Sequence, residues 1–250
     1  MTELASVGSL LLPLRQASDL AQSRLREPSL DEGLAKLIQA AEKVPGPSHK
    51  ELFFRNGVPL PCWIEGDTKL EDGWLTGPNY YPKYYALIHS LAKVRPRLRF
   101  LEIGVRTGYM GVVFAQAAGE GSFYTGIDPN RYVVNGLSIA GRALSILRDE
   151  IKGFHFSLVE GHSWESAVQR SMEAVGPFDL IHIDGAHTPI GKLIDLELAS
   201  RLVTKDGLVL VDDYEYHPFI RDSVKRSLAM GWFSRYGFIK TIRGLAVLAR

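Results

Sequence analysis

Residues 99–108 read Arg-Phe-Leu-Glu-Ile-Gly-Val-Arg-Thr-Gly. Arg99–Ile103 is a short β-rich run, Gly104 and Gly108 supply a tight turn, and Tyr109–Ala118 continues with helical character. The same order recurs downstream. Strands are predicted at Phe123–Ile127, Phe154–Val159, Leu180–Ile183 and Leu208–Val211. The helices between and after them run through Leu147, over Trp164–Ala174, through Leu202 and from about Arg221 to Leu228. Strand and helix alternating five times predicts βαβ units, hence a parallel sheet covered on both faces. The tail breaks the rhythm. Phe233–Thr241 and Leu245–Ala249 read as strands joined by a turn at Arg243-Gly244, and so short a connection makes them antiparallel. The expected fold is α/β: a doubly wound, Rossmann-like sheet of seven mostly parallel strands with an antiparallel C-terminal hairpin.

Upstream of this block the text changes. Residues 1–45 carry helical periodicity at Leu10, Leu11, Leu14, Leu20 and Leu25, then at Leu34, Leu37, Ile38 and Ala41 beyond Pro28. Ser29 and Glu32 have the spacing of a capping box for the second of these helices. From Pro45 to Pro82 the chain is irregular and rich in Pro and Gly, the kind of long loop that forms lids, binding segments or arms. Tyr84–Val94 reads as an amphipathic helix. Residues 1–79 are therefore expected to form a helical and loop region serving as lid, acceptor pocket or oligomer arm, and residues 80–250 the main domain.

Composition excludes several classes. The chain has 250 residues and 29 Lys+Arg against 28 Asp+Glu, so charge gives no reason to expect nucleic acid as partner. No apolar run approaches the roughly 18 residues that cross a bilayer. The Met-Thr-Glu-Leu start lacks a basic n-region, which predicts a cytoplasmic protein without a secretory signal. Cys62, the single cysteine, reads as an inert thiol, and no G-x-S-x-G elbow suggests a hydrolase.

Ligands of open α/β sheets bind beyond the carboxyl ends of the strands, so the strand ends carry the chemistry. After strand one the spacing is G-x-x-x-G, not the G-x-G-x-x-G of dinucleotide enzymes, and Glu102 stands two residues ahead of it. Strand two ends at Asp128, 24 residues after Gly104, where a carboxylate can accept hydrogen bonds from a ribose diol. The alternative is that Asp128 caps a helix opening at Pro129.

Taken together, Glu102-x-Gly104-x-x-x-Gly108, the acidic end of strand two and the terminal hairpin resemble a class I S-adenosylmethionine-dependent methyltransferase over about residues 80–250. The resemblance implies that Gly104 and Gly108 face the methionine part of the cofactor, that Glu102 helps hold that region, and that Asp128 binds the ribose hydroxyls. It places Gly161, His162 and Ser163 near adenine, gives Thr76–Tyr81 a position that often closes over the cofactor, and counts Asp184 among the cofactor contacts.

Strand four ends in Asp184-Gly185-Ala186-His187 and strand five in Asp212-Asp213-Tyr214. In this fold the two strands are neighbours, so three carboxylates meet at one rim, where they repel unless a proton, a cation or a basic group intervenes. Oxygen ligands alone suit Mg²⁺. The competing reading is that one or two of these aspartates cap the helices that follow. His187 can take a proton from a hydroxyl near neutral pH, although a lone loop histidine is often incidental. The string resembles Mg²⁺-dependent natural-product O-methyltransferases, including those acting on macrolide sugars. That resemblance implies Asp184, Asp212 and Asp213 as metal ligands, His187 as base and a small hydroxylated acceptor. Two rivals stand beside it: a metal-independent N- or O-methyltransferase, and a catalytically silent binding or scaffold subunit. The N-terminal helices could join two copies of the chain. Trp63, Trp74, Trp164 and Trp232 are expected to anchor packing, and Arg95, Arg97 and Arg99 to lie in solvent.

Overall fold

The computed structural model describes residues 27–44, 47, 49–63, 88–90, 92, 97–240 and 243–250. The periodic stretch Leu10–Leu25, the Thr76–Tyr81 segment, Trp74, Arg95 and most of the helix expected over Tyr84–Val94 lie outside them.

Helix α1 (Glu32–Glu42) is capped by Asp31 rather than by Ser29, because Glu32 is already the first helical residue. The Asp31 carboxylate accepts from the Leu34 amide at 2.8 Å and pairs with Arg235, also at 2.8 Å. The Arg235 bond and then the amide bond hold its pKa at about 2. Helix α2 (His49–Phe53) and a small hairpin of β1 (Phe54–Arg55) and β2 (Val58–Pro59) come next. Phe53 meets Tyr109 edge-on at 5.3 Å, which fastens this segment to the main domain.

The alternation then runs as the pattern predicts, with boundaries shifted by a few residues. It comprises β3 (Arg99–Ile103), α3 (Tyr109–Ala118), β4 (Phe123–Asp128), α4 (Gly136–Glu150), β5 (His155–Glu160) and α5 (Ser166–Val175). After these come β6 (Phe178–Ile183), α6 (Pro189–Leu202), β7 (Val203–Val211), α7 (Pro218–Ala229), β8 (Arg235–Ile239) and β9 (Leu245–Ala249). The seven strands lie in the order β5-β4-β3-β6-β7-β9-β8. All neighbours are parallel except β9, which is antiparallel to both β7 and β8.

Side-chain alternation on β3 splits the core into two layers. Phe100 packs with Phe114 and Tyr124 on one face, while Leu101 and Ile103 join Ile181, Leu198 and Val209 on the other. Each fully buried side chain of this size contributes about 1.5–3 kcal/mol relative to exposure. Arg99 departs from the solvated reading: its Nε donates to the Pro177 carbonyl at 3.1 Å, beside the Phe123 and Phe178 rings. Strand order reverses between β3 and β6, the switch point at which such sheets bind ligands. Ile103 is level with Ile127 and Ile183, and Ile183 with Val211. Residues 104, 128, 184 and 212 therefore leave the sheet along one rim. Among the described residues no helix is long and apolar enough to cross a membrane.

Candidate functional site

The glycine loop is built by the protein's own packing. Gly104 has φ +99°, and a Cβ there would stand 2.3 Å from the Asp184 carbonyl oxygen. Gly108 has φ +90°, and its Cβ would meet that of Ala140 on α4 at 2.8 Å. Both positions are closed to L side chains by conformation and by space. The Gly104 amide donates to Ile127 O at 2.8 Å and the Arg106 amide to Asp128 Oδ2 at 2.9 Å, tying the loop to the end of β4.

Asp128 is not a helix cap, since α4 opens eight residues later at Gly136. Its second oxygen accepts from the Asn130 amide at 2.6 Å, so the loop amides orient the carboxylate at the rim. After β5, Gly161 lies against Val168 and Glu165, and the His162 amide donates to Glu165 Oε1 at 3.1 Å. The His162 ring stacks on Trp164 with centroids 3.9 Å apart. Trp164 is 41% exposed, so it forms a platform on the surface and not the packing anchor expected of it. Ser163 is buried and donates to Asp195 Oδ1, whose other oxygen accepts from the Ala186 amide at 3.1 Å. Asp195, a fully buried carboxylate on α6, thus joins the β5 loop to the β6 loop. Sequence reasoning passed over it, although an acid set directly between Ile194 and Leu196 is a visible signal.

Glu102 sits deeper than a rim residue. It is 3% exposed, accepts from the Tyr124 hydroxyl and lies 3.5 Å from His182 Nδ1 on the adjoining strand. Burial pushes its pKa up to about 8 and that of His182 down to about 4, so both are neutral near pH 7. Cys62 is buried and its thiol is pushed up to about 12, in keeping with an inert role.

The acidic rim comes next. The Asp184 amide donates to Ile103 O at 2.8 Å and the Asp212 amide to Ile183 O at 3.1 Å, extending the ladders by one residue. Neither aspartate caps a helix: Thr188 caps α6, and His217 holds the cap position of α7. Lost hydration raises the Asp184 pKa, with Asp213 adding to the effect. Lost hydration and the Asp184 charge raise that of Asp212 well above the ordinary value.

Asp213 faces elsewhere. Its φ of +59° turns the side chain inward, where it is 2% exposed. Oδ2 lies 2.8 Å from His187 Nε2 and Oδ1 accepts from Arg243 at 3.0 Å. Burial raises its pKa, but these two bonds outweigh burial and leave it below the ordinary value. The Asp213 bond raises the pKa of His187 against the opposing effect of burial. His187 Nε2 also lies 3.9 Å from Asp184 Oδ1, and His187, Asp213 and His217 bring ligand atoms within 4.8 Å of one another. Lys192 is fully buried, its amine has no hydrogen-bond partner among the described residues, and its charge lowers the pKa of Asp184, Asp195 and Asp212. Arg243 and Lys192 were not singled out by the sequence reading.

A parallel sheet with a terminal antiparallel hairpin, a glycine turn at its switch point and an acid ending the next strand together make up the fold of class I methyltransferases. Residues 101–214 match the family model described as a methyltransferase domain. Three solved structures share the fold. One, from Staphylococcus aureus and provisionally described as a caffeoyl-CoA O-methyltransferase, is 18% identical, with a TM-score of 0.54 over 74% of this chain and 92% of its own. A Podospora anserina methyltransferase with bound S-adenosylhomocysteine (SAH) is 15% identical, with a TM-score of 0.53 over 90% and 98%. The Bacillus cereus O-methyltransferase in complex with SAH is 13% identical, with a TM-score of 0.53 over 94% and 96%. Likeness at these identities is a likeness of fold. No curated protein matches the sequence.

Proposed function

We propose that the protein transfers a methyl group from S-adenosylmethionine to a hydroxyl of a small molecule, with His187 as general base and a divalent cation held by Asp184 and Asp212. The observation that carries this reading is the His187–Asp213 hydrogen bond of 2.8 Å beside a pair of aspartates whose proton affinity is raised. Two carboxylates brought together at one rim repel unless a proton or a cation sits between them. Mg²⁺ suits them, because it accepts one or two protein carboxylates and leaves its other positions to water or substrate oxygen. Asp213, expected as a third ligand, already uses both oxygens, so its role in this reading is to orient the base.

The cofactor supplies, when bound, an electrophilic methyl on sulfonium sulfur. Asp128 fits its ribose hydroxyls, and the His162–Trp164 stack beside Gly161 fits an adenine ring. A cation at Asp184 and Asp212 would supply Lewis acidity toward the acceptor oxygen. Because Asp213 is a carboxylate of lowered pKa, His187 donates through Nε2, which leaves Nδ1 to receive the acceptor proton. Asp213 then stabilises the imidazolium. A secondary metabolite with a sugar or phenol hydroxyl, met in the cytoplasm, is the acceptor class this reading carries. Lys192 favours a second reading, in which internal positive charge replaces the cation and transfer is metal-independent.

The test is transfer of labelled methyl from S-adenosylmethionine to a panel of catechols, phenols, glycosides and amines, with and without EDTA. Label on oxygen acceptors, lost with EDTA and restored by Mg²⁺, is expected. EDTA-insensitive transfer favours the second reading, and no transfer to any oxygen acceptor contradicts both assignments to oxygen.

A further inference from the structure

We propose that Arg243, in the turn of the C-terminal hairpin, is a positioning residue for methyl transfer: it fixes Asp213 and thereby sets the orientation of the His187 imidazole. The inference rests on the reading of His187 as the base.

One carboxylate bridges the two side chains. Asp213 Oδ1 accepts from Arg243 at 3.0 Å while Oδ2 takes the His187 bond at 2.8 Å, and the carboxylate is almost wholly removed from solvent. Charge-assisted bonds in such surroundings are strong and directional. The Asp213 backbone is left-handed at φ +59°, a conformation that costs an ordinary L residue free energy and persists only when its neighbours hold it. Arg243 is one of those neighbours.

The hairpin turn is itself held against the loop that carries Asp213. The Glu215 and Tyr216 amides donate to Arg243 O at 2.7 and 3.2 Å, and the Tyr214 amide donates to Gly244 O at 3.1 Å. Gly244 has φ +73°, and a Cβ there would lie 2.6 Å from Glu215 Cγ, so the close approach of turn and loop requires glycine. The Tyr216 ring covers the guanidinium at 4.8 Å. Backbone bonds and ring contact together keep Arg243 beside Asp213. Without Arg243, Asp213 Oδ1 loses its partner and the carboxylate is no longer held in the orientation that meets the imidazole. The hairpin that identifies the fold thus also completes the base.

The test is the ¹⁵N-resolved imidazole spectrum of His187 in the full chain, assigned with His187→Gln and recorded for wild type, Arg243→Met and Arg243→Lys. The Nε2 proton is expected to be hydrogen-bonded and slow to exchange in wild type, fast in Arg243→Met and slow again in Arg243→Lys. Turnover on an acceptor found by the panel should fall at least tenfold in Arg243→Met, with SAH affinity within twofold of wild type and partial recovery on adding guanidinium. An unchanged imidazole signal in Arg243→Met overturns the proposal. So does a parallel loss of SAH binding in both Arg243 variants, which marks a merely structural residue. The spectrum needs no acceptor: if His187 is not the base, His187→Gln keeps its turnover while the spectral result stands.

Discussion

Gly104 lies against Asp184 so closely that a Cβ at Gly104 would stand 2.3 Å from the Asp184 carbonyl oxygen. The glycine turn after β3 and the loop that begins the acidic rim are therefore one packed unit across the switch point of the sheet. A change at either is felt at the other.

Gly104→Ala tests that unit. A positive φ costs an L residue about 1–3 kcal/mol, and overpacking against backbone costs a similar amount. The expected loss is about 3 kcal/mol or more of stability by urea unfolding, accompanied by weaker SAH binding. A variant as stable as wild type would show that β3 and β6 are not locked together.

Asp128→Asn keeps one acceptor oxygen and removes the charge that the Arg106 and Asn130 amides orient. Losing a charge-assisted contact of about 1–3 kcal/mol should raise the SAH dissociation constant about 10- to 100-fold. Titration calorimetry reads this directly. Unchanged affinity would remove Asp128 from the ribose contact.

The acidic pair predicts a pH-dependent response to metal. The folded chain holds protons on Asp184 and Asp212 more tightly than the unfolded chain does, so stability falls as pH rises from the ordinary carboxylate range through the raised values. A bound cation offsets that loss. Mg²⁺ should raise the Tm more at about pH 7.5 than at about pH 5, and Asp212→Asn should be more stable than wild type without metal and insensitive to Mg²⁺. Equal Mg²⁺ shifts in both proteins would exclude Asp212 as a ligand.

Glu102 supplies a second, metal-free pH effect. Its pKa stands at about 8 in the fold against an ordinary 4.5, so its contribution is full below 4.5 and is lost as pH climbs toward 8. Glu102→Gln, neutral at every pH, should flatten the stability profile between about pH 5 and 8 in chemical denaturation. A profile of unchanged slope would mean that Glu102 is ionised in the native protein.

His187→Gln is expected to cut turnover by about 100-fold, the scale of a general base, with SAH affinity nearly unchanged. The Asp213 bond raises the imidazole pKa, so the wild-type rate should rise with pH until the imidazole is neutral. Equal losses of turnover and cofactor affinity would sink the assignment.

Much of this was legible in the sequence because periodicity and turn chemistry are local. The runs from Arg99 to Val211 alternate between two periods, and the Arg243-Gly244 turn is too short for anything but an antiparallel pair. The strand-end aspartates followed from topology, since parallel neighbours in register bring Asp184 and Asp212 to one rim. What escaped depends on direction and on contacts between distant segments. Whether Asp213 joins its neighbour Asp212 or turns inward is set by one backbone angle, which nothing in Val-Asp-Asp-Tyr declares. Arg243 follows Asp213 by 30 residues and is joined to it through hairpin geometry. The Asp31 cap was missed because Ser29 and Glu32 imitate a capping box while an adjacent aspartate, itself held by Arg235 on β8, does the capping.

The central claim is that the rim joins a cofactor site to a cation site. Its most direct test is calorimetric titration of SAH into metal-stripped protein, followed by titration of Mg²⁺ into wild type and Asp184→Asn. Micromolar SAH binding, with Mg²⁺ binding present in wild type and absent in the variant, is the predicted result. Failure of SAH to bind the wild-type chain at all would contradict the account.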